Sequence, residues 1–133
     1  ACWNGARFTH VPDIEGALQV WEDGDGSLPF AVGDWLEETC IEYEDEHAYS
    51  VHAGLLPGKS LSRTSDFYKM WGVNGFLESG YDWGKPVVFG HWNLPEPLVQ
   101  ANKIGIDTGA FRRGTLTAVR LPDRQIFQVQ RES

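Results

Sequence analysis

The sequence predicts a mixed α/β or α+β domain with a sheet-dominated core, and three observations carry that prediction. Short apolar runs ending at a polar or glycine-flanked residue recur through the last two-thirds of the chain, in "CIEYE", "HAYSVHAG", "KPVVFGH" and "KIGID". Fifteen Gly and seven Pro among 133 residues imply many turns between short elements. The C-terminal "TLTAVRLPDRQIFQVQ" is two alternating runs about a Pro-Asp turn, the pattern of a β-hairpin.

Taken in order, "PDIEGALQVWED" offers Asp13 as an N-cap, with Ile14, Leu18 and Trp21 at helical spacing. "LPFAVGDWLEET" predicts a short helix weakened by Gly33. Residues 41–43 and 47–52 predict an antiparallel hairpin around the acidic turn Glu44-Asp45-Glu46. "LLPGKSLSRTSD" predicts a loop whose Ser65 or Asp66 caps a helical turn through "FYKMW", whereas "GVNGFLESGYDWG" has too many glycines for a regular element. "KPVVFGH" is continuously apolar, as a buried strand is, and "WNLPEPLVQANK" is a proline-broken loop before the strand "KIGID". In the final hairpin Pro122 stands where a type I turn favours it. Leu116, Ala118 and Arg120 share one face of its first strand, and Thr117, Val119 and Leu121 the other.

The length suits a single domain, with no repeat or linker. A net charge of −8 argues against nucleic acid as a partner, since neutralising a phosphate backbone needs clustered Lys and Arg. A small phosphate ester remains an acceptable ligand, the more so with a metal ion between. No apolar run approaches the roughly 20 residues of a membrane span. No basic-then-apolar leader opens the sequence, so a cytoplasmic setting is expected. Cys2 and Cys40 have no metal-site spacing, and ordinary thiols are expected.

"KIGIDTGAFRRG" contains Asp-Thr-Gly after an apolar strand, which an aspartic protease would use as half of a carboxylate pair. Such a pair would need a symmetric dimer, a flap and a supporting strand-loop, yet only 26 residues follow Asp107 and most of them form a hairpin. Asp107 is therefore expected to be structural, holding the loop "TGAFRRG" through side-chain-to-backbone hydrogen bonds. Of four histidines, His10 and His47 lack a distinctive setting. His52 and His91 both follow an apolar strand and precede a loop with small neighbours, which suits a shared metal site.

"VHAGLLPG", "VVFGHWNLPEP" and "KIGIDTGAFRRGTLTAVRLPD", in that order, resemble the C-terminal half of a calcineurin-like metallophosphoesterase. The similarity runs from about Tyr43 to Val129 and points to the bacterial serine/threonine protein phosphatase branch, near the symmetrical diadenosine tetraphosphate hydrolases. It implies the C-terminal part of an αββα sandwich, built mostly of short strands with a terminal hairpin. It further implies a hydrolase acting on a phosphoprotein or nucleotide, with His52 and His91 as metal ligands and Asp107 as a structural strand end. The cofactor implied is a pair of divalent ions (Mn, Fe or Zn) about 3.5–4 Å apart, which grip phosphate oxygens and activate water for in-line attack.

The resemblance also implies ligands that the sequence lacks. The family's Asp-x-His, Gly-Asp and Gly-Asn-His-Glu segments are not found upstream of "VHAG", and the Gly-Asp letters at 24–26 and 33–34 lack the apolar strand and paired His. Residues 1–133 are therefore expected to be one partial domain, the C-terminal portion of a longer enzyme, and inactive alone. Where the family carries Trp-x-Arg, with an Arg that helps hold phosphate, this chain has Trp71-Gly72-Val73; where Thr usually follows the second His, it has Trp92. Both departures leave open a non-catalytic pseudo-phosphatase that keeps the fold as a binding domain.

Overall fold

The computed structural model describes residues 38–131. The chain divides into two compact units, Ala1–Ile41 and Glu42–Ser133, and only the second falls almost wholly within the described residues. Cys2, His10, the helix expected from Asp13 and most of the one expected over 28–39 lie outside them.

The second unit is built on a five-stranded sheet of order β1-β2-β3-β5-β4, with β1 Glu42–Glu44, β2 Tyr49–Val51, β3 Val87–Phe89, β4 Leu98–Val99 and β5 Lys103–Gly105. β1 pairs antiparallel with β2, opposing Glu42 to Val51 and Glu44 to Tyr49. The acidic turn between them forms because the Asp45 carboxylate accepts the backbone N–H groups of His47 (2.8 Å) and Ala48 (3.0 Å). Those two bonds hold its carboxyl below the usual aspartate range. β3 is the inner strand, parallel to β2 on one side and to β5 on the other. Its residues are all buried, which is why it reads as an unbroken apolar run. The central strands thus point the same way, and their carboxyl ends lie along one edge of the sheet.

Alternation along β3 sends Val87 and Phe89 into one layer and Val88 into the other. The first layer gathers Val51, Leu55, Phe76 and Trp83, the second Ala48 and Ile104 backed by Ile106, Val119 and Leu121. Phe76 and Trp83 come from the glycine-rich stretch that has no regular structure, yet Phe76 is fully buried, edge-on to Phe89 at 4.9 Å. Burying such a ring stabilises by about 1.5–3 kcal/mol, so this coil is a pillar of the core. Gly54 makes room for it: a Cβ there would stand 2.7 Å from Phe76 Cδ1. The same alternation buries Lys103, whose ammonium donates to the Ser79 carbonyl and lies 5.6 Å from the centre of the Phe76 ring. Burial pushes its pKa down.

Between β2 and β3 the chain makes a 3₁₀ turn, Leu61–Arg63, and helix α1, Asp66–Trp71, with Ser65 at the N-cap. Lys69 of α1 is buried against the Glu42 carboxylate, tying the helix to the edge strand. β4 lies inside the expected proline-broken loop. It is a two-residue edge strand after Pro97, a position where proline costs no ladder bond and where so short a run leaves no periodicity to detect.

The C-terminal hairpin pairs β6, Thr115–Arg120, with β7, Gln125–Gln130, so that Leu116 faces Val129 and Ala118 faces Phe127. Thr117 and Val119 turn inward, while Leu116 and Val129 are exposed. The turn contains a cis Leu121–Pro122 peptide and ends with Arg124 at φ 57°. Among the described residues no helix is long and apolar enough to cross a membrane.

Candidate functional site

Parallel strands place whatever follows them on one rim, and here three such followers are polar. His52 follows β2, His91 follows β3 after Gly90, and Asp107 follows β5 after Ile106. The crevice beyond the carboxyl ends of a parallel sheet is where such folds collect their chemistry.

The rim brings the two histidines together. His52 Nε2 lies 3.1 Å from His91 Nδ1, with ring centroids 5.0 Å apart and the planes at 74°. His91 holds φ 69°, a left-handed conformation costly for a residue with a Cβ. Its surroundings enforce it. Gly90 N–H donates to the His52 carbonyl at 2.8 Å, and Trp92 N–H donates to the Gly90 carbonyl at 2.8 Å, a tight turn around His91. Burial pushes the His52 imidazole towards its neutral form, with His91 adding to the effect and Asp107 opposing it. Neutral imidazole is the form that ligates a metal.

Trp92 does not fill the space in front of the histidines. Its indole N–H donates to the Ala53 carbonyl at 2.6 Å, and its ring packs on the core and over Gly72, where a Cβ would stand 2.6 Å from Cζ2. It therefore clamps the loop after His52 to the loop after His91. Trp71 stands edge-on to His91 at 6.5 Å. Val73 packs against the first core layer.

Asp107 braces the same loop from the other side. Its Oδ2 accepts the Asn93 N–H at 3.2 Å, its Oδ1 accepts the Gly109 N–H at 3.0 Å, and its carbonyl accepts the Leu94 N–H at 2.8 Å. Thr108 extends the brace to the hairpin. Its hydroxyl donates to the Thr115 carbonyl at 2.8 Å and lies 2.6 Å from the Thr117 hydroxyl, which in turn accepts from Gln128 Nε2 at 3.1 Å. Each group in that run has a donor and an acceptor in place. The loop then makes helix α2, Ala110–Arg113, between Gly109 at φ 77° and Gly114 at φ 76°. Sequence reasoning missed α2 because four residues are too few to show a period.

Two nitrogens on one ion at 2.0–2.1 Å are about 3.3 Å apart at a tetrahedral angle and about 2.9 Å at a right angle, and the 3.1 Å separation falls between. The spacing matches two positions on one ion and equally an N–H···N hydrogen bond between the two rings. Among the described residues no cluster of three or more His, Cys, Asp or Glu side chains could hold a metal. Beside His91 lies an open recess of about 420 Å³, bounded by Asn93, Asp107, Phe111 and Arg112.

No protein-family profile matches the chain. A 43-residue stretch, 32% of the chain, is 46% identical to the symmetrical bis(5′-nucleosyl)-tetraphosphatase of Vibrio vulnificus. Stretches of similar length are 49% identical to the enzyme of that name from Nitrosomonas europaea and 50% identical to that of a Janthinobacterium species. Each match spans 16% of the relative's own length. Among solved structures, a protein assigned as a diadenosine tetraphosphatase superposes with a TM-score of 0.63 at 20% identity, over 87% of this chain and 64% of that one. The chain thus has the mixed α/β architecture of a phosphoesterase-type fold, with few helices and a C-terminal β-hairpin.

Proposed function

We propose that this chain carries part of the metal centre of a phosphoesterase that cleaves nucleotide phosphates, with His52 and His91 as two of its ligands. The observation that carries this is the convergence of two imidazole nitrogens at 3.1 Å on the carboxyl rim of a parallel sheet. The names of the relatives, all bis(5′-nucleosyl)-tetraphosphatases, favour a nucleotide over a phosphoprotein as substrate. Divalent ions (Mn, Fe or Zn), when bound, supply Lewis acidity to the phosphoryl oxygens and activate water.

The chain's own residues supply position. His52 and His91 present neutral nitrogens; the Trp92 clamp and the Asp107 brace fix the two loops that bear them, so that little reorganisation accompanies binding. Two imidazoles leave a dication under-coordinated and its charge uncompensated. The remaining ligands, carboxylates above all, come in this reading from residues outside 38–131, in a longer domain of which residues 1–133 are the C-terminal portion.

The chain alone is then expected to show negligible hydrolysis of p-nitrophenyl phosphate with manganese. Robust turnover abolished by His52→Ala would place a complete ligand set within it and contradict the partial-site reading. Reading the coding sequence upstream of Ala1 in frame is the second test. Asp-x-His, Gly-Asp and Gly-Asn-His-Glu segments there support the proposal. Their absence favours the second reading, a pseudo-phosphatase that binds without hydrolysis. The chemistry of Val73, an apolar core residue where a phosphate-holding Arg would otherwise stand, is what supports that alternative.

A further inference from the structure

The recess beside His91 has a second wall that the metal reading leaves unexplained. Phe111 is 93% exposed, an unusual setting for a phenyl ring that lines a recess rather than lying singly on a surface. It is not on a loose loop. Arg113 N–H donates to the Gly109 carbonyl and Gly114 N–H to that of Ala110. The Arg113 guanidinium donates to the Asn93 and Leu94 carbonyls, fixing α2 to the His91 loop. Arg112 also lines the recess, and it makes no such bond among the described residues. Ring and guanidinium thus border the same recess. A volume of about 420 Å³ is in the range of small-ligand sites.

A flat apolar face and an uncommitted planar cation, both held beside a phosphate-directed pair, match the two ends of a nucleoside phosphate. We infer that Phe111 and Arg112 form the nucleotide subsite. The ring stacks on the base, and the guanidinium takes a phosphate that does not react. This inference rests on the phosphoesterase reading for the placing of the reacting phosphate, but its residues are separate from the proposed ligands.

The test is calorimetric titration of the chain with ADP and with inorganic pyrophosphate in magnesium buffer. Phe111→Ala is expected to weaken ADP binding about tenfold, the effect of losing one base–aromatic stack, and to leave pyrophosphate affinity within about twofold. Phe111→Trp restores ADP binding. Arg112→Ala weakens both probes, since it removes a phosphate contact. Both side chains are exposed, so the variants keep the fold. ADP affinity unchanged by Phe111→Ala, equal loss of both probes in that variant, or no saturable ADP binding by the unaltered chain would each overturn the inference. The two claims fail separately: loss of the Phe111 dependence removes the subsite alone, whereas a His52 imidazole that ignores added zinc removes the phosphoesterase reading and leaves the subsite.

Discussion

Gly72→Ala tests whether Trp92 is the clamp that sets the site. Gly72 ends α1 at φ 80°, ψ 173°, a region open to little but glycine, where an alanine costs on the order of 1–3 kcal/mol. The new methyl carbon would also stand 2.6 Å from Trp92 Cζ2 and 3.1 Å from Cη2. An indole held by a hydrogen bond to Ala53 and by the core has no free direction to yield, and such overpacking costs about 1–3 kcal/mol more. The expected destabilisation is about 2–6 kcal/mol, read as the urea midpoint shift by tryptophan fluorescence. Gly75→Ala is the control, because Gly75 also has positive φ (84°) but nothing within 4 Å of its Cβ. Gly72→Ala is expected to exceed Gly75→Ala by about 1 kcal/mol or more, the lower end of the overpacking range. Equal effects would refute the clamp.

Two further predictions address the Asp107 brace and the β1–β2 turn. Asp107→Asn keeps the shape but replaces one acceptor oxygen by an N–H₂ group that meets a backbone N–H. It is expected to cost about 1–3 kcal/mol and to speed hydrogen exchange at Asn93 and Gly109; unchanged exchange at both would remove Asp107 from the brace. Asp45 has a folded-state pKa below its ordinary value of 3.8, caused first by the His47 and Ala48 N–H bonds. A depressed carboxyl contributes stability that is present above the unfolded pKa and lost as pH falls through the folded one. Its NMR titration midpoint should therefore lie below 3.8, and a midpoint above that value would show that the turn bonds do not form.

Fold and site differ in how much of each the sequence revealed, and the difference is physical. β3, β5 and the hairpin announce themselves because burial on both faces or on alternate faces leaves a local pattern, as "VVF" and "TLTAVR" do. Phe76 and Trp83 do not, since core residues on coil have no period. β4 and α2 are two and four residues long and are set by tertiary pairing and by flanking glycines. At the site, His52 and His91 stand out as strand-end histidines with small neighbours. Their 3.1 Å approach could not be read from a separation of 39 positions. Nor could the clamp made by Trp92, whose indole seemed a bulky neighbour of the site but is turned onto Ala53 and Gly72. The recess that Phe111 and Arg112 line gave no signal, because a short polar-aromatic segment looks the same whether or not it faces one.

The most direct measurement is imidazole ¹⁵N NMR of the chain during addition of zinc. If His52 and His91 share a metal, His52 Nε2 and His91 Nδ1 shift together and saturate together, while His47, which lies beside Glu46, does not follow them. His91→Ala should then abolish the His52 response. A His52 signal that ignores zinc, or that responds equally in the His91→Ala variant, would contradict a shared metal site.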